Sequence, residues 1–143
     1  MLLIPKTKTF DQTQSKELIN HLSTTKSNQI IIFYSSHDSN TGQMWCGDCV
    51  ELQSNLINVF ENEKYQALQD QLVYVYVGER DQWRSSDNVF RQSPWSITNL
   101  PTILKVLPGE KPLNERISPL DSRLVEDEAN NRERLVNYLT TST

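Results

Sequence analysis

The sequence predicts an α/β fold in which a mixed central sheet is flanked by helices on both faces. Three observations carry this. Residues 30–34 and residues 72–77 are runs of β-branched and aromatic side chains without polar alternation, as strands covered on both faces require. Between them Val50, Leu52, Leu56, Ile57, Val59 and Phe60 recur at roughly helical spacing. Such a strand-helix-strand unit is expected to pair its strands in parallel with a right-handed crossover.

The remaining elements follow in chain order. Asp11 is placed to cap a first amphipathic helix that carries Leu18, Ile19 and Leu22 and ends near Ser23-Thr24-Thr25. The polar stretch 37–43 then delivers the chain to Trp45-Cys46-Gly47-Asp48-Cys49, so the two cysteines open the long helix just after the first buried strand. Residues 78–96 are polar and mixed, with one short helix expected at 87–91. Strand character resumes at residues 102–106, with Pro101 at the entrance. Gly109 marks a hairpin turn, a weak strand is expected near 113–117, and a charged amphipathic helix carries Leu124, Val125, Leu135, Val136 and Leu139.

At 143 residues the chain fits one domain, 1–143, that can bury a core without staples. Its composition, 36% hydrophobic and 22% charged with four Gly and six Pro, argues against collagen-like, low-complexity and membrane classes. A net charge of −4 gives no electrostatic reason to approach nucleic acid or an anionic membrane, both of which recruit Lys/Arg clusters. The apolar stretch Leu2-Leu3-Ile4 is far short of a secretory core or a membrane span, so a cytoplasmic, monomeric protein is expected.

Two cysteines are too few for a disulfide framework, and their three-residue separation points to chemistry. A sulfur at a helix start meets unpaired amides and the positive end of the helix dipole, which stabilises a thiolate. Cys46 is therefore expected to attack a substrate disulfide, and Cys49, one turn deeper, to resolve the mixed disulfide. The same spacing also serves half of a zinc site, a structural disulfide or an idle pair. Zinc needs two more ligands, and only His21 and His37 are present, neither in paired spacing.

Trp45-Cys46-Gly47-Asp48-Cys49, followed later by Leu100-Pro101-Thr102 ahead of a strand, resembles the thioredoxin superfamily. Asp48, where ordinary thioredoxins carry Pro, is similar to the cytosolic thioredoxin-related group that includes thioredoxin domain-containing protein 17 and the Clot proteins, although Gly47 replaces the Pro common there. The strings Val77-Gly78-Glu79-Arg80-Asp81-Gln82-Trp83 and Asp87-Asn88-Val89-Phe90-Arg91 agree with that group. The resemblance covers about residues 10–106; the stretch from about 108 is less diagnostic, and the charged segment 123–134 reads as an addition.

The resemblance implies a thioredoxin fold and a cis Pro101 facing the cysteines. It further implies backbone at Asn99 and Leu100 that binds extended substrate, and no organic cofactor. Electrons would come from thioredoxin reductase and NADPH, or through glutathione. Ordinary thioredoxins also bury a carboxylate on the strand before the motif; residues 30–35 contain none, which leaves Asp48 as the nearest candidate to relay a proton to Cys49. Trp45 and Gly47 are read as substrate-docking surface, Glu79, Arg80 and Asp81 as shapers of the rim, and Trp83 and Trp95 as core. His37, in a loop expected to be flexible, leaves a Cys-His couple conceivable. The expected activity is reduction of small or exposed disulfides. The alternative is a redox-inactive or redox-sensing module of the same fold that binds a protein partner.

Overall fold

A computed structural model describes residues 8–141. Its centre is β2 (Gln29–Tyr34), whose six residues are all buried. Alternate side chains of a strand point to opposite faces, so burial of every residue means that both faces are covered. β2 pairs in parallel with β3 (Leu72–Tyr76), from Ile30 opposite Leu72 to Tyr34 opposite Tyr76. On its other side it pairs antiparallel with β4 (Thr102–Val106). Short edge strands β1 (Thr9–Asp11) and β5 (Leu124–Val125) complete a mixed sheet of order β1-β3-β2-β4-β5. One apolar cluster runs through the molecule from Phe10 to Leu139.

The helices differ from expectation mainly at their starts. α1 (Ser15–Thr24) buries Leu18 and Leu22, but Asp11 does not cap it. The Asp11 carboxylate accepts from the backbone N–H of Thr13 at 2.8 Å and from its hydroxyl, closing a local turn that consumes the side chain, and Gln14 takes the cap position. α2 (Gly47–Glu61) buries Cys49, Leu52, Leu56, Val59 and Phe60. At its end the Asn62 side chain accepts from the Lys64 N–H and starts a run of 3₁₀ turns, Glu63–Gln71, which leads into β3.

The polar stretch 78–96 folds into two turns of helix rather than one: α3 (Arg80–Arg84) and a 3₁₀ turn, Val89–Arg91. Trp83 and Trp95 are buried as expected. Trp95 packs edge-on against Phe33 at 5.8 Å and Phe90 at 5.9 Å.

After β4 two expectations fail. Residues 113–116 form α4 (Leu113–Arg116), not a strand, and only Ile117 bridges to Val106. The buried Arg116 guanidinium explains the turn: it donates to the carbonyls of Lys111, Leu22 and Leu107 and pulls the segment back onto the body. Leu124 and Val125, expected on a helix, are β5, because Val125 and Leu124 pair with Thr102 and Ile103. Glu126, at φ 52°, then turns the chain, and α5 (Arg132–Thr140) begins only after that.

Candidate active site

β2 ends at Tyr34, and the chain must return to the start of α2. Residues 37–44 make that return as a turn closed by its own hydrogen bonds. His37 and Met44 form an antiparallel bridge, and the Asp38 N–H donates to the Gln43 carbonyl at 2.7 Å. The Asp38 carboxylate accepts from the Asn40 and Thr41 amides, and Gly42 reverses the chain at φ 74°, where a side chain is disfavoured. Glu79 ties the turn to the other side of the site by accepting from the Ser39 N–H at 3.0 Å. The His37 ring packs against Tyr76 at 5.6 Å, and no hydrogen bond joins it to Cys46 among the described residues.

This return sets Cys46 as the N-cap of α2, half-buried, and Cys49 one turn deeper and fully buried. Both sulfurs are free thiols. The Cys46 Sγ accepts from the Cys49 backbone N–H at 3.3 Å. Its pKa falls to about 7, first through hydrogen bonding with the Cys49 thiol and then through the backbone amides of Cys49 and Asp48. Burial and the Asp48 charge oppose that fall. Cys49 moves the other way. Its thiol proton is held by Cys46 and its surroundings are apolar, so its pKa is pushed far above the ordinary thiol range.

Ser35, which the sequence did not single out, joins both sulfurs to β2. Its Oγ accepts from the Cys46 N–H at 3.2 Å, and its own N–H donates to the Cys49 Sγ at 3.4 Å. A hydroxyl ending an apolar run was the available signal. A second unforeseen residue, Asn130, donates from Nδ2 to the Asp48 carbonyl at 3.0 Å across 82 positions of sequence, a separation no local pattern reveals.

The other expected residues surround Cys46 unequally. The Leu100–Pro101 peptide is cis, Pro101 is buried, and the Leu100 carbonyl stands 3.8 Å from the Cys46 Sγ. The Asn99 carbonyl accepts from the Thr102 hydroxyl at 2.6 Å. Gly47 is exposed, and a Cβ there would meet nothing within 4 Å. Trp45 is half-buried and donates from Nε1 to the Gly78 carbonyl at 3.0 Å, while the Arg80 guanidinium lies 5.1 Å over its ring. Arg80 and Glu79 therefore stand on the rim. Asp48 lies half-buried in the first turn of α2. Among the described residues no group of three or more His, Cys, Asp or Glu could hold a metal ion.

The chain and its fold match known proteins. The family model for the thioredoxin domain of thioredoxin domain-containing protein 17-like proteins matches residues 6–136. Thioredoxin-like protein Clot of Arabidopsis thaliana is 30% identical over 76 residues, 52% of this chain and 54% of that protein. Thioredoxin domain-containing protein 17 of Mus musculus is 33% identical over 76 residues, 53% of this chain and 58% of that protein. The chain thus spans a little over half the length of these two relatives. Among solved structures, Trxlp from Edwardsiella tarda superposes with a TM-score of 0.55 over 92% of this chain and 99% of its own, at 13% identity. Thioredoxin f2 of Chlamydomonas reinhardtii gives 0.54 over 94% and 97%, also at 13% identity, a likeness that shows the fold alone. The chain belongs to the thioredoxin domain-containing protein 17-like family of thioredoxin domains.

Proposed function

We propose that this protein is a thiol-disulfide oxidoreductase that reduces small or exposed disulfides through Cys46 and Cys49. The observation that carries this reading is the placement of two free thiols one helical turn apart, Cys46 at the N-cap of α2 accepting from the Cys49 N–H at 3.3 Å and Cys49 buried beneath it, which moves their acidities in opposite directions. An exposed-side sulfur with a pKa of about 7 is substantially thiolate at neutral pH, while its partner keeps a proton in reserve.

The cycle balances as follows. The Cys46 thiolate attacks one sulfur of the substrate disulfide; that S–S bond breaks, a Cys46–substrate disulfide forms, and the first substrate thiolate leaves. Cys49 gives up its proton, which passes to the departing substrate sulfur, and attacks the Cys46 Sγ. The Cys46–Cys49 disulfide forms and the second substrate thiol is released. Two thiols of the protein are oxidised and one substrate disulfide is reduced to two thiols. A dithiol reductase drawing on NADPH, or glutathione, restores the reduced pair.

Within this reading Asp48 takes the proton-relay role, acting through water, because β2 offers no carboxylate. Its charge also works against the Cys46 thiolate. Leu100, Pro101 and Trp45 form the surface on which an extended substrate docks, and the turn 37–44 limits access by bulky partners. We place the protein in the cytoplasm as a monomer.

The test is turnover of cystine and of insulin with each reductant, thioredoxin reductase with NADPH and glutathione with its reductase. Reduction with either donor supports the proposal. Absence of turnover with both, in a protein whose Cys46 alkylates readily, turns the reading to a protein-binding module.

A further inference from the structure

The Cys49 N–H that donates to the Cys46 Sγ belongs to the same planar peptide as the Asp48 C=O. Asn130 donates to that carbonyl from Nδ2 at 3.0 Å, and its Oδ1 in turn accepts from Asn55 Nδ2 at 2.9 Å. Because Asn130 must donate to a carbonyl, its amide orientation is forced. Asn55 must then present its own NH₂ to Asn130 Oδ1. The hydrogen bonds therefore run in one direction, from Asn55 through Asn130 and the Asp48–Cys49 peptide to the Cys46 sulfur. Each bond to a carbonyl polarises the amide beyond it, so the dipoles add at the end of the chain.

The placement of Asn130 supports this. It lies on the charged C-terminal segment, which approaches both halves of the site. The Glu126 N–H donates to the Pro101 carbonyl at 2.9 Å, and four residues later Asn130 reaches the first turn of α2. The segment therefore fastens to Pro101 on one side and to the peptide between the cysteines on the other.

We propose that Asn130, backed by Asn55, is a positioning residue that aims and polarises the Asp48–Cys49 peptide at the Cys46 sulfur, so that the C-terminal segment tunes the nucleophile it never touches. This deepens the oxidoreductase reading and rests on it for its purpose, but it is tested on the thiolate itself. Charged groups on the elements that meet here include Asp48 in α2, Arg80 of α3 over Trp45, Asp38 in the turn 37–44 with Glu79 tied to it, and Glu126 and the Glu128–Arg134 pair, at 3.2 Å, on the segment that carries Asn130. Replacing Asn by Ala changes none of them.

The experiment titrates Cys46 by ultraviolet thiolate absorbance and by pH-dependent alkylation in the native chain, Asn130→Ala, Asn55→Ala and the double variant. The Cys46 pKa in Asn130→Ala should rise by about half a pH unit, from loss of one bond and its cooperative share. Alkylation at about pH 7 should fall two- to threefold. Asn55→Ala should shift the pKa less. Adding Asn55→Ala to Asn130→Ala should shift it no further, because the route passes through Asn130. Additive shifts would mean that Asn55 acts by a route other than Asn130, and a lowered melting temperature with an unchanged thiolate pKa would assign the two asparagines to packing alone; either result overturns the proposal. A native Cys46 that titrates like a free thiol would instead defeat the oxidoreductase reading. Disulfide turnover enters neither measurement, so the two failures are distinguishable.

Discussion

The floor and the rim of the site are held by different forces. On the floor Ser35 and Cys49 are buried, and each polar contact there is a backbone amide, a hydroxyl or a sulfur fixed by β2 and α2. On the rim Trp45 is half-buried, Arg80 lies over its ring, and the turn 37–44 is tied by the exposed contact between Glu79 and Ser39. Buried hydrogen bonds act in a low dielectric and leave costly orphans when broken, whereas exposed contacts are exchanged for water. The floor should thus govern what the sulfurs do and the rim which molecules reach them.

The largest effect belongs to the sulfurs. Cys46→Ser should lower disulfide reduction by on the order of a thousandfold or more, as loss of a nucleophile does. Cys49→Ser should retain the first attack and accumulate a mixed disulfide through Cys46, visible by mass spectrometry. A mixed disulfide trapped through Cys49 in the Cys46→Ser variant would reverse the assigned order.

Acidity comes next. The folded pKa of Cys46 lies near 7, below its ordinary value. Below that pH the thiol is protonated and inert, so alkylation should rise about tenfold per pH unit up to about pH 7 and level off above it. A profile still climbing steeply at pH 9, where ordinary thiols titrate, would remove the distinction between the two sulfurs.

Ser35→Ala tests the floor without touching a sulfur. It deprives the Cys46 N–H of its acceptor and removes a hydroxyl that favours ionisation of Cys49. The unsatisfied amide should cost about 1–3 kcal/mol of stability. Resolution by Cys49 should slow by about tenfold, the result of about 1.4 kcal/mol. Stopped-flow measurement of mixed-disulfide decay checks this, and Ser35→Thr, which keeps the hydroxyl, should restore most of the rate.

The sequence disclosed the sulfurs and their setting because those signals are local. The unalternated runs at 30–34 and 72–77 state that both faces of the strands are covered, and the start of α2 at the cysteines follows from apolar spacing. Pro101 entered through its motif. Asn130 was not legible, since its role arises from packing across 82 positions of sequence, and Ser35 showed only as a hydroxyl ending an apolar run, its role arising across 11 positions. Residues 113–125 misled for a related reason. Their apolar spacing fits more than one element, and it is the buried Arg116 and the pairing of Val125 with Thr102 that choose a turn and then a strand. Asp11 was drawn away from its expected cap by Thr13, two residues on.

The smallest effect should come from the rim. The turn 37–44 is closed by its own hydrogen bonds and by one exposed tie to Glu79, so shortening it between the bridged residues His37 and Met44 leaves β2, Ser35 and α2 in place. The Cys46 pKa should not move, because none of the groups that lower it lies in the turn. Access should change instead. On the proposed reading a small disulfide such as cystine would reach Cys46 past the exposed Gly47, whereas insulin would lay a chain against Leu100 and Trp45 with the turn alongside. Relief of about 1 kcal/mol of hindrance corresponds to about a fivefold gain for insulin relative to cystine. The measurement is the ratio of kcat/KM for the two substrates in the native and shortened chains, with Cys46 alkylation as the control. A changed alkylation profile would mean that the rim reaches the chemistry, and the division between rim and floor would then be wrong. An unchanged ratio with unchanged alkylation would show that the turn does not set the selectivity.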